Sequence, residues 1–220
     1  MKRHWWKWLG VILVTYTIVQ GFLGEVPRLP ILHETIRNLY FHVTMWFAMM
    51  CMMTISLIGS IMVLSQPLKK RDIMASEFAY TGMMLGVLGL VTGMVWAKYT
   101  WGTWWTSDPQ LNGAAITMLS YAAYAVLRNA IDDSDKRARI AAVYNIFAYT
   151  MMVVFIVILP KTGNVDSLHP GKGGNPGFNT YDLDNNMRMV FYPAIIGWIL
   201  VSVWIANLRI RVRKLHNFES

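Results

Sequence analysis

The residue most able to do chemistry is His42, because it lies in the apolar run 40–64, which contains no Asp, Glu, Lys or Arg. An ionisable side chain inside a bilayer costs free energy unless it has a partner, so a functional role is the default hypothesis. Imidazole is the commonest metal ligand among protein side chains. The alternative is a core histidine whose ring nitrogens are satisfied by hydrogen bonds, and the sequence leaves both interpretations open.

A second candidate is the tryptophan-rich segment 101–108, which lies between two long apolar runs. It contains three indole rings and one acid: Trp101, Trp104, Trp105 and Asp108. Indole rings favour the boundary between hydrocarbon and water, so one interpretation is an aromatic belt at a helix end. Because Asp is a favourable N-cap and Pro109 suits the first helical position, Asp108 is also predicted to cap the helix that follows.

The other histidines lie outside the apolar runs. His33 is close enough in sequence to compete with His42 as a ligand. His169 stands in a long polar loop, where a lone histidine is usually solvated. His4 and His216 lie in basic tails and are interpreted as solvated.

The composition predicts a membrane protein. The chain has 220 residues, of which 55% are hydrophobic and 15% charged, whereas soluble domains carry about 25% charged residues. The mean hydropathy is +0.37, and the apolar residues form long runs, as in a single polytopic domain over 1–220. The net charge of +8 is typical of basic cytoplasmic loops and does not indicate nucleic acid. A single cysteine, Cys51, excludes an internal disulfide.

These runs predict an all-α membrane protein, a six-transmembrane-helix bundle. The first run resembles a signal peptide but lacks a small-residue cleavage site, so it is predicted to be retained. Glycines at spacings of three and four in the third run predict close approach of a neighbouring helix, whereas the methionines are interpreted as packing residues. The predicted helices cover 8–24, 40–64, 78–97, 111–127, 140–159 and 189–208.

The basic residues predict the orientation. With both termini in the cytoplasm, 14 of the 20 Lys and Arg residues fall at the cytoplasmic ends of the helices. The opposite side then holds His42, the tryptophan segment and His169. The glycine-rich stretch 171–177 follows no strand and opens no helix, so a phosphate-binding loop is not predicted there.

The tryptophan segment resembles the W-G-x-x-W-x-W-D signature of the CcmC-type haem-handling membrane proteins of cytochrome c maturation. Trp101, Gly102, Trp105 and Asp108 match this signature, whereas Ser107 stands where the family usually has a further Trp. The segment Arg37-Asn38-Leu39-Tyr40-Phe41-His42-Val43 resembles the family's first ligand segment. Ser167-Leu168-His169 resembles its second.

This resemblance implies that His42 and His169 are axial ligands of non-covalently bound haem b. It also implies that Trp101, Trp104 and Trp105 form a platform for the macrocycle. Arg37 is a candidate partner of a haem propionate, since guanidinium binds carboxylates with a planar fork; a solvated or headgroup contact is its alternative. Asp108 is predicted to orient the motif by capping the fourth helix.

The resemblance further implies a haem-transfer protein of the bacterial inner membrane, without an enzymatic role. Its expected partners are a periplasmic membrane-anchored haem chaperone, ABC transporter subunits and a small membrane subunit. Two alternatives remain: part of a cytochrome c synthase of the same superfamily, and a small-molecule transporter or quinone-linked cytochrome b. A cytochrome b needs histidine pairs within helices, and a transporter usually shows broken helices.

Overall fold

The computed structural model describes residues 4–28, 32–161, 169 and 183–219, without the side chains of residues 161 and 216–219. Six α-helices account for most of them. Their bounds are α1 Trp5–Leu23, α2 His42–Ser65, α3 Lys69–Trp101, α4 Pro109–Asn129, α5 Ser134–Met152 and α6 Asn185–Glu219. Several residues that bear on the predictions above lie outside the described ones: the glycine-rich stretch 171–177, Lys2, Arg3, Ser167 and Leu168.

Five helical stretches are long and apolar enough to cross a membrane, which confirms the prediction of an all-α, multi-pass architecture. These stretches are Trp5–Leu23, Glu34–Ser65, Lys69–Trp101, Ser134–Ile158 and Asn185–Leu215. The remaining helix, α4, opens with the polar residues Gln110 and Asn112, which lower its hydropathy.

Although α4 is not among these five stretches, it runs antiparallel to α3 along the bundle. Arg128, near the end of α4, forms a paired hydrogen bond of 2.8 and 2.5 Å with Asp72 in the first turn of α3. At the opposite end, α3 finishes at Trp101 and α4 begins after Asp108. We call the end that holds Trp101 and Asp108 the tryptophan end, and the end that holds Asp72 and Arg128 the Arg128 end.

The predicted third and sixth helices are too short. The prediction began the third helix at Phe78, but α3 begins at Lys69, and α6 continues beyond residue 208 to Glu219. One reason is an ion-pair cluster around a buried carboxylate: Glu77, 3% exposed, accepts hydrogen bonds from Arg209 at 2.8 Å and Arg213 at 2.6 Å. Charged residues that suggested loops are therefore helical, because they neutralise one another between α3 and α6.

The fifth helix also differs from its predicted range of 140–159. It begins at Ser134, because the Asp133 carboxylate caps it by accepting the N–H groups of Asp135 at 3.1 Å and Lys136 at 2.8 Å. Its last part, Val153–Ile158, is π-helical, and a 3₁₀ turn, Leu159–Lys161, follows.

The glycine row of α3 packs against α2, as predicted. A Cβ added at Gly82 would meet Met53, one at Gly89 would meet Trp46, and one at Gly93 would meet His42. These side chains of α2 therefore rest on the backbone of α3. The row is what allows an imidazole and an indole to fit between two closely packed helices.

The polar connection before α2 contains a 3₁₀ helix, Glu34–Tyr40. Its apolar residues Ile36, Leu39 and Tyr40 are buried in a second cluster with Met187 and Phe191 of α6. This cluster fixes the start of α2, and hence the position of His42, at the tryptophan end.

Candidate haem site at the tryptophan end

A cavity opens between α2, α3, α4 and the π-helical turn Val153–Ile158 that follows α5. Both predicted ligands, His42 and His169, line this cavity together with Trp101 and Trp105. Apart from these residues its wall is mostly apolar, with contributions such as Phe47, Leu90, Ala114 and Ile156. Residues separated by more than 120 positions in the chain thus meet at one site.

His42 is the first residue of α2 and is half-buried against α3. Its Nδ1 lies 2.9 Å from the carbonyl oxygen of Gly89 and 3.2 Å from Oγ1 of Thr92. Because a carbonyl oxygen only accepts, Nδ1 carries the proton and Nε2 carries the lone pair in the neutral ring. Histidines that bind metal through one nitrogen commonly donate the other N–H in this way.

His169 is held by the aspartate of the tryptophan segment. Its Nδ1 lies 3.0 Å from Oδ1 of Asp108, whose side chain is fully buried. The imidazole also meets the Trp101 ring edge to face, with ring centroids 5.5 Å apart. A carboxylate oxygen only accepts, so the tautomer that suits this contact has its proton on Nδ1 and its lone pair on Nε2.

The same carboxylate starts α4. Oδ1 of Asp108 accepts the backbone N–H groups of Gln110 at 2.8 Å and Leu111 at 3.4 Å, and Pro109 occupies the first helical position. The predicted N-cap is thereby confirmed. Asp108 in addition orients His169, a role that its sequence context does not predict.

The three motif tryptophans take different positions. Trp101 ends α3, and Gly102 follows in a left-handed conformation, φ 78°, which reverses the chain without the steric cost of a side chain. Trp105 lines the cavity and donates its Nε1–H to Oδ1 of Asn112 at 3.2 Å. Trp104 is 52% exposed and, among the described residues, is not part of the cavity wall.

Arg37 ties the 3₁₀ helix to the end of α1. Its guanidinium donates hydrogen bonds to the carbonyl oxygens of Gly21 and Gly24 and pairs with Glu34 at 3.6 Å. Within the described part of the chain, neither Arg37 nor the exposed His33 lines the cavity. His42 rather than His33 is therefore the histidine that shares the cavity with His169.

Two further tryptophans belong to the site and were not predicted from the sequence. Trp46 and Trp96 line the cavity and meet the His42 ring edge to face, at centroid distances of 6.3 and 5.8 Å. The Trp96 Nε1–H donates to Oγ1 of Thr35 at 3.0 Å, which fixes its ring. One signal was present in the sequence: Trp46 lies four residues after His42, on the same helix face.

Comparison with known proteins gives a consistent result. The family model for heme exporter protein C, CcmC, matches residues 1–218. The heme exporter protein C of Rhodobacter capsulatus is 30% identical over 224 residues, covering 95% of this chain and 88% of that protein. The protein of the same name from Escherichia coli K12 is 24% identical over 94% of this chain. The cytochrome c biogenesis protein CcsA of Prochlorococcus marinus is 33% identical over 88 residues, or 40% of this chain.

The family match over residues 1–218 thus agrees with the helical bundle and with its cavity, which is lined by histidines and tryptophans. The chain belongs to the heme exporter protein C family.

Proposed function

We propose that this protein binds haem b non-covalently in the cavity, with His42 and His169 as axial ligands through their Nε2 atoms. The observation that carries the proposal is that the two imidazole rings have the same arrangement. Each lines the cavity, and each has its Nδ1 at 2.9–3.0 Å from an oxygen that accepts its proton. Such partners fix the tautomer and raise the basicity of the coordinating nitrogen.

The indole rings supply the remainder of the binding surface. Trp101 and Trp105 from the motif and Trp46 and Trp96 from the helices line the same cavity, so a flat apolar macrocycle has several aromatic faces to contact. Trp104, exposed at the rim, is proposed to contact haem only at its edge or during transfer. Arg37 reaches a haem propionate only if it leaves its contacts with Gly21 and Gly24. We therefore propose that it pairs with a propionate only when haem is bound.

The proposed topology places six helices across the bacterial inner membrane with both termini in the cytoplasm. α4 is the sixth span, supported by its antiparallel course along α3 between the tryptophan end and the Arg128 end. The basic residues Arg128, Arg209 and Arg213 lie at the Arg128 end, in agreement with a cytoplasmic position. The cavity then faces the periplasmic side.

A site without a covalent link to haem suits transfer. We propose that the protein presents haem to a periplasmic membrane-anchored haem chaperone by exchange of an axial ligand. ABC transporter subunits and a small membrane subunit complete the proposed complex. The match to CcsA covers only 28% of that protein, so we favour transfer over a role within a cytochrome c synthase.

Absorbance of the purified protein tests the ligation. His42→Ala and His169→Ala should each lose most of the haem absorbance per mole of protein, while His33→Ala, an exposed histidine at the same end of the bundle, should retain it. Circular dichroism confirms that each variant is folded. Full haem retention in both ligand variants would rule out this ligation.

A further inference from the structure

A group of buried polar side chains lies between α2, α4 and α5, on the Arg128 side of the cavity. Asn145 of α5 is fully buried and donates Nδ2–H groups to Oγ of Ser56 and Oγ of Ser60, each at 2.8 Å. One turn along α5, the Tyr149 hydroxyl lies 3.0 Å from Oγ1 of Thr54. Hydrogen bonds of this kind join membrane helices, so these contacts by themselves are structural.

Three polar atoms of this group have no partner among the described residues, although their side chains are fully buried. They are Asn145 Oδ1, Tyr121 OH and Thr117 Oγ1. The assignment of the Asn145 amide follows from Ser56, whose hydroxyl donates to the carbonyl oxygen of Ala75 at 2.6 Å and can therefore only accept from Asn145. The carbonyl oxygen of Asn145 is thus the atom left over.

An unpaired polar atom in a membrane interior is costly, because no lipid group can replace the lost hydrogen bonds. The three atoms offer one pure acceptor and two hydroxyls that both donate and accept. None of the three atoms belongs to a charged side chain, which disfavours an ion. A ligand that donates and accepts several hydrogen bonds and carries no charge is water.

The group begins one helical turn from the candidate haem site. Thr54 donates to the carbonyl oxygen of Met50 at 2.8 Å, and Met50 lines the cavity. On α4, Ala114 lines the cavity and Thr117 follows three residues later. Tyr121 packs in the same buried cluster as Met118 and Met152.

We propose that water molecules bind inside the bundle, between α2, α4 and α5, at Asn145 Oδ1, Tyr121 OH and Thr117 Oγ1. These water molecules form a hydrated layer on the Arg128 side of the cavity, and they complete the hydrogen bonds of the buried polar atoms. This internal water site does not depend on haem binding, and its test can succeed or fail independently of the proposed function.

Hydroxyl-radical footprinting detects such water, because radicals formed from bound water oxidise neighbouring side chains that bulk solvent cannot reach. The full-length protein in detergent micelles is exposed to X-ray pulses in ¹⁸O-labelled water, and labelled peptides are quantified by mass spectrometry. Met152, 1% exposed, should acquire label several-fold faster than Met187, which is 0% exposed and packs in the apolar cluster at the tryptophan end. Equal rates for these two methionines would overturn the proposal.

A nearly isosteric double variant, Thr117→Val with Tyr121→Phe, tests the position of the water. It should lower the labelling of Met152 to the rate of Met187. The control is Thr44→Val, a buried threonine whose hydroxyl already donates to the carbonyl oxygen of Tyr40 at 2.6 Å, and it should leave the Met152 rate unchanged. A Met152 rate that stays at the wild-type value in the folded double variant would contradict the assignment to these atoms.

Discussion

The carboxylate of Asp108 joins the N-terminus of α4 to the imidazole of His169. One oxygen, Oδ1, accepts the N–H groups of Gln110 and Leu111 and lies 3.0 Å from Nδ1 of His169. The acid of the tryptophan segment is therefore a structural cap and a positioning group for a proposed haem ligand at once.

Two substitutions of Asp108 separate these roles. Asp108→Asn keeps a good N-cap, whereas Asp108→Ala should lower the free energy of unfolding by about 0.5–2 kcal/mol. Both remove the charged acceptor of the His169 N–H, so both should weaken haem binding by about 10–100-fold. Haem titration followed by absorbance, together with thermal unfolding, measures the two effects. Wild-type haem affinity in Asp108→Asn would show that the carboxylate does not support His169 as a ligand.

Gly93 should be needed for the position of His42. A Cβ at residue 93 would lie 2.7 Å from Cε1 of His42, a ring already fixed by its hydrogen bond to Gly89. Gly93→Ala should therefore displace the imidazole, at an overpacking cost of about 1–3 kcal/mol, and weaken haem binding about tenfold or more.

The matched control for Gly93→Ala is Gly82→Ala in the same glycine row. Its Cβ would meet the flexible end of Met53, with Cε at 2.8 Å, which can move aside. Gly82→Ala should retain wild-type haem affinity in the same titration. If the two variants bind haem equally well, the contact between Gly93 and His42 does not determine the site.

The pair of Asp72 and Arg128 should contribute strongly to stability. The Arg128 side chain is 2% exposed and that of Asp72 is 15% exposed, so Asp72→Asn leaves a buried guanidinium without its countercharge. The expected loss is about 3–5 kcal/mol, measured by unfolding in detergent. Asp132→Asn, at an exposed position in the next turn, should change stability by less than about 0.5 kcal/mol. Equal stability of the two variants would refute the buried pair.

Cysteine labelling should show that α4 crosses the membrane. In a Cys51→Ala background, Ser107→Cys and Asp132→Cys place single thiols at exposed positions before and after α4. A membrane-impermeant maleimide should label the first in intact spheroplasts and the second only after lysis. Labelling of both thiols from the same side would exclude α4 as a span.

The sequence predicted the helices better than their ends. Uninterrupted apolar runs identify the membrane helices, because a bilayer tolerates few unpaired charges. The same rule began the predicted third helix too late and ended the sixth too early, because Glu77, Arg209 and Arg213 neutralise one another only after α3 and α6 have packed. Ion pairs between residues more than 130 positions apart leave no local signal.

The site shows the same limit. The N-cap role of Asp108 follows from its position before Pro109, which is local information. Its contact with His169 joins residues 61 positions apart and depends on the path of the chain after α5. Trp46 and Trp96 were missed because indoles within apolar helices resemble packing residues until the cavity beside them is known.

The most direct test of the central claim is the ligand field of bound iron. Electron–nuclear double resonance of the ferric haem-loaded protein, grown with ¹⁵N-labelled histidine, counts the imidazole nitrogens on the metal. The account predicts a low-spin centre with two coordinated histidine nitrogens in the wild type, and one in the fraction of haem that His169→Ala retains. A wild-type spectrum with one histidine nitrogen, or none, would contradict it.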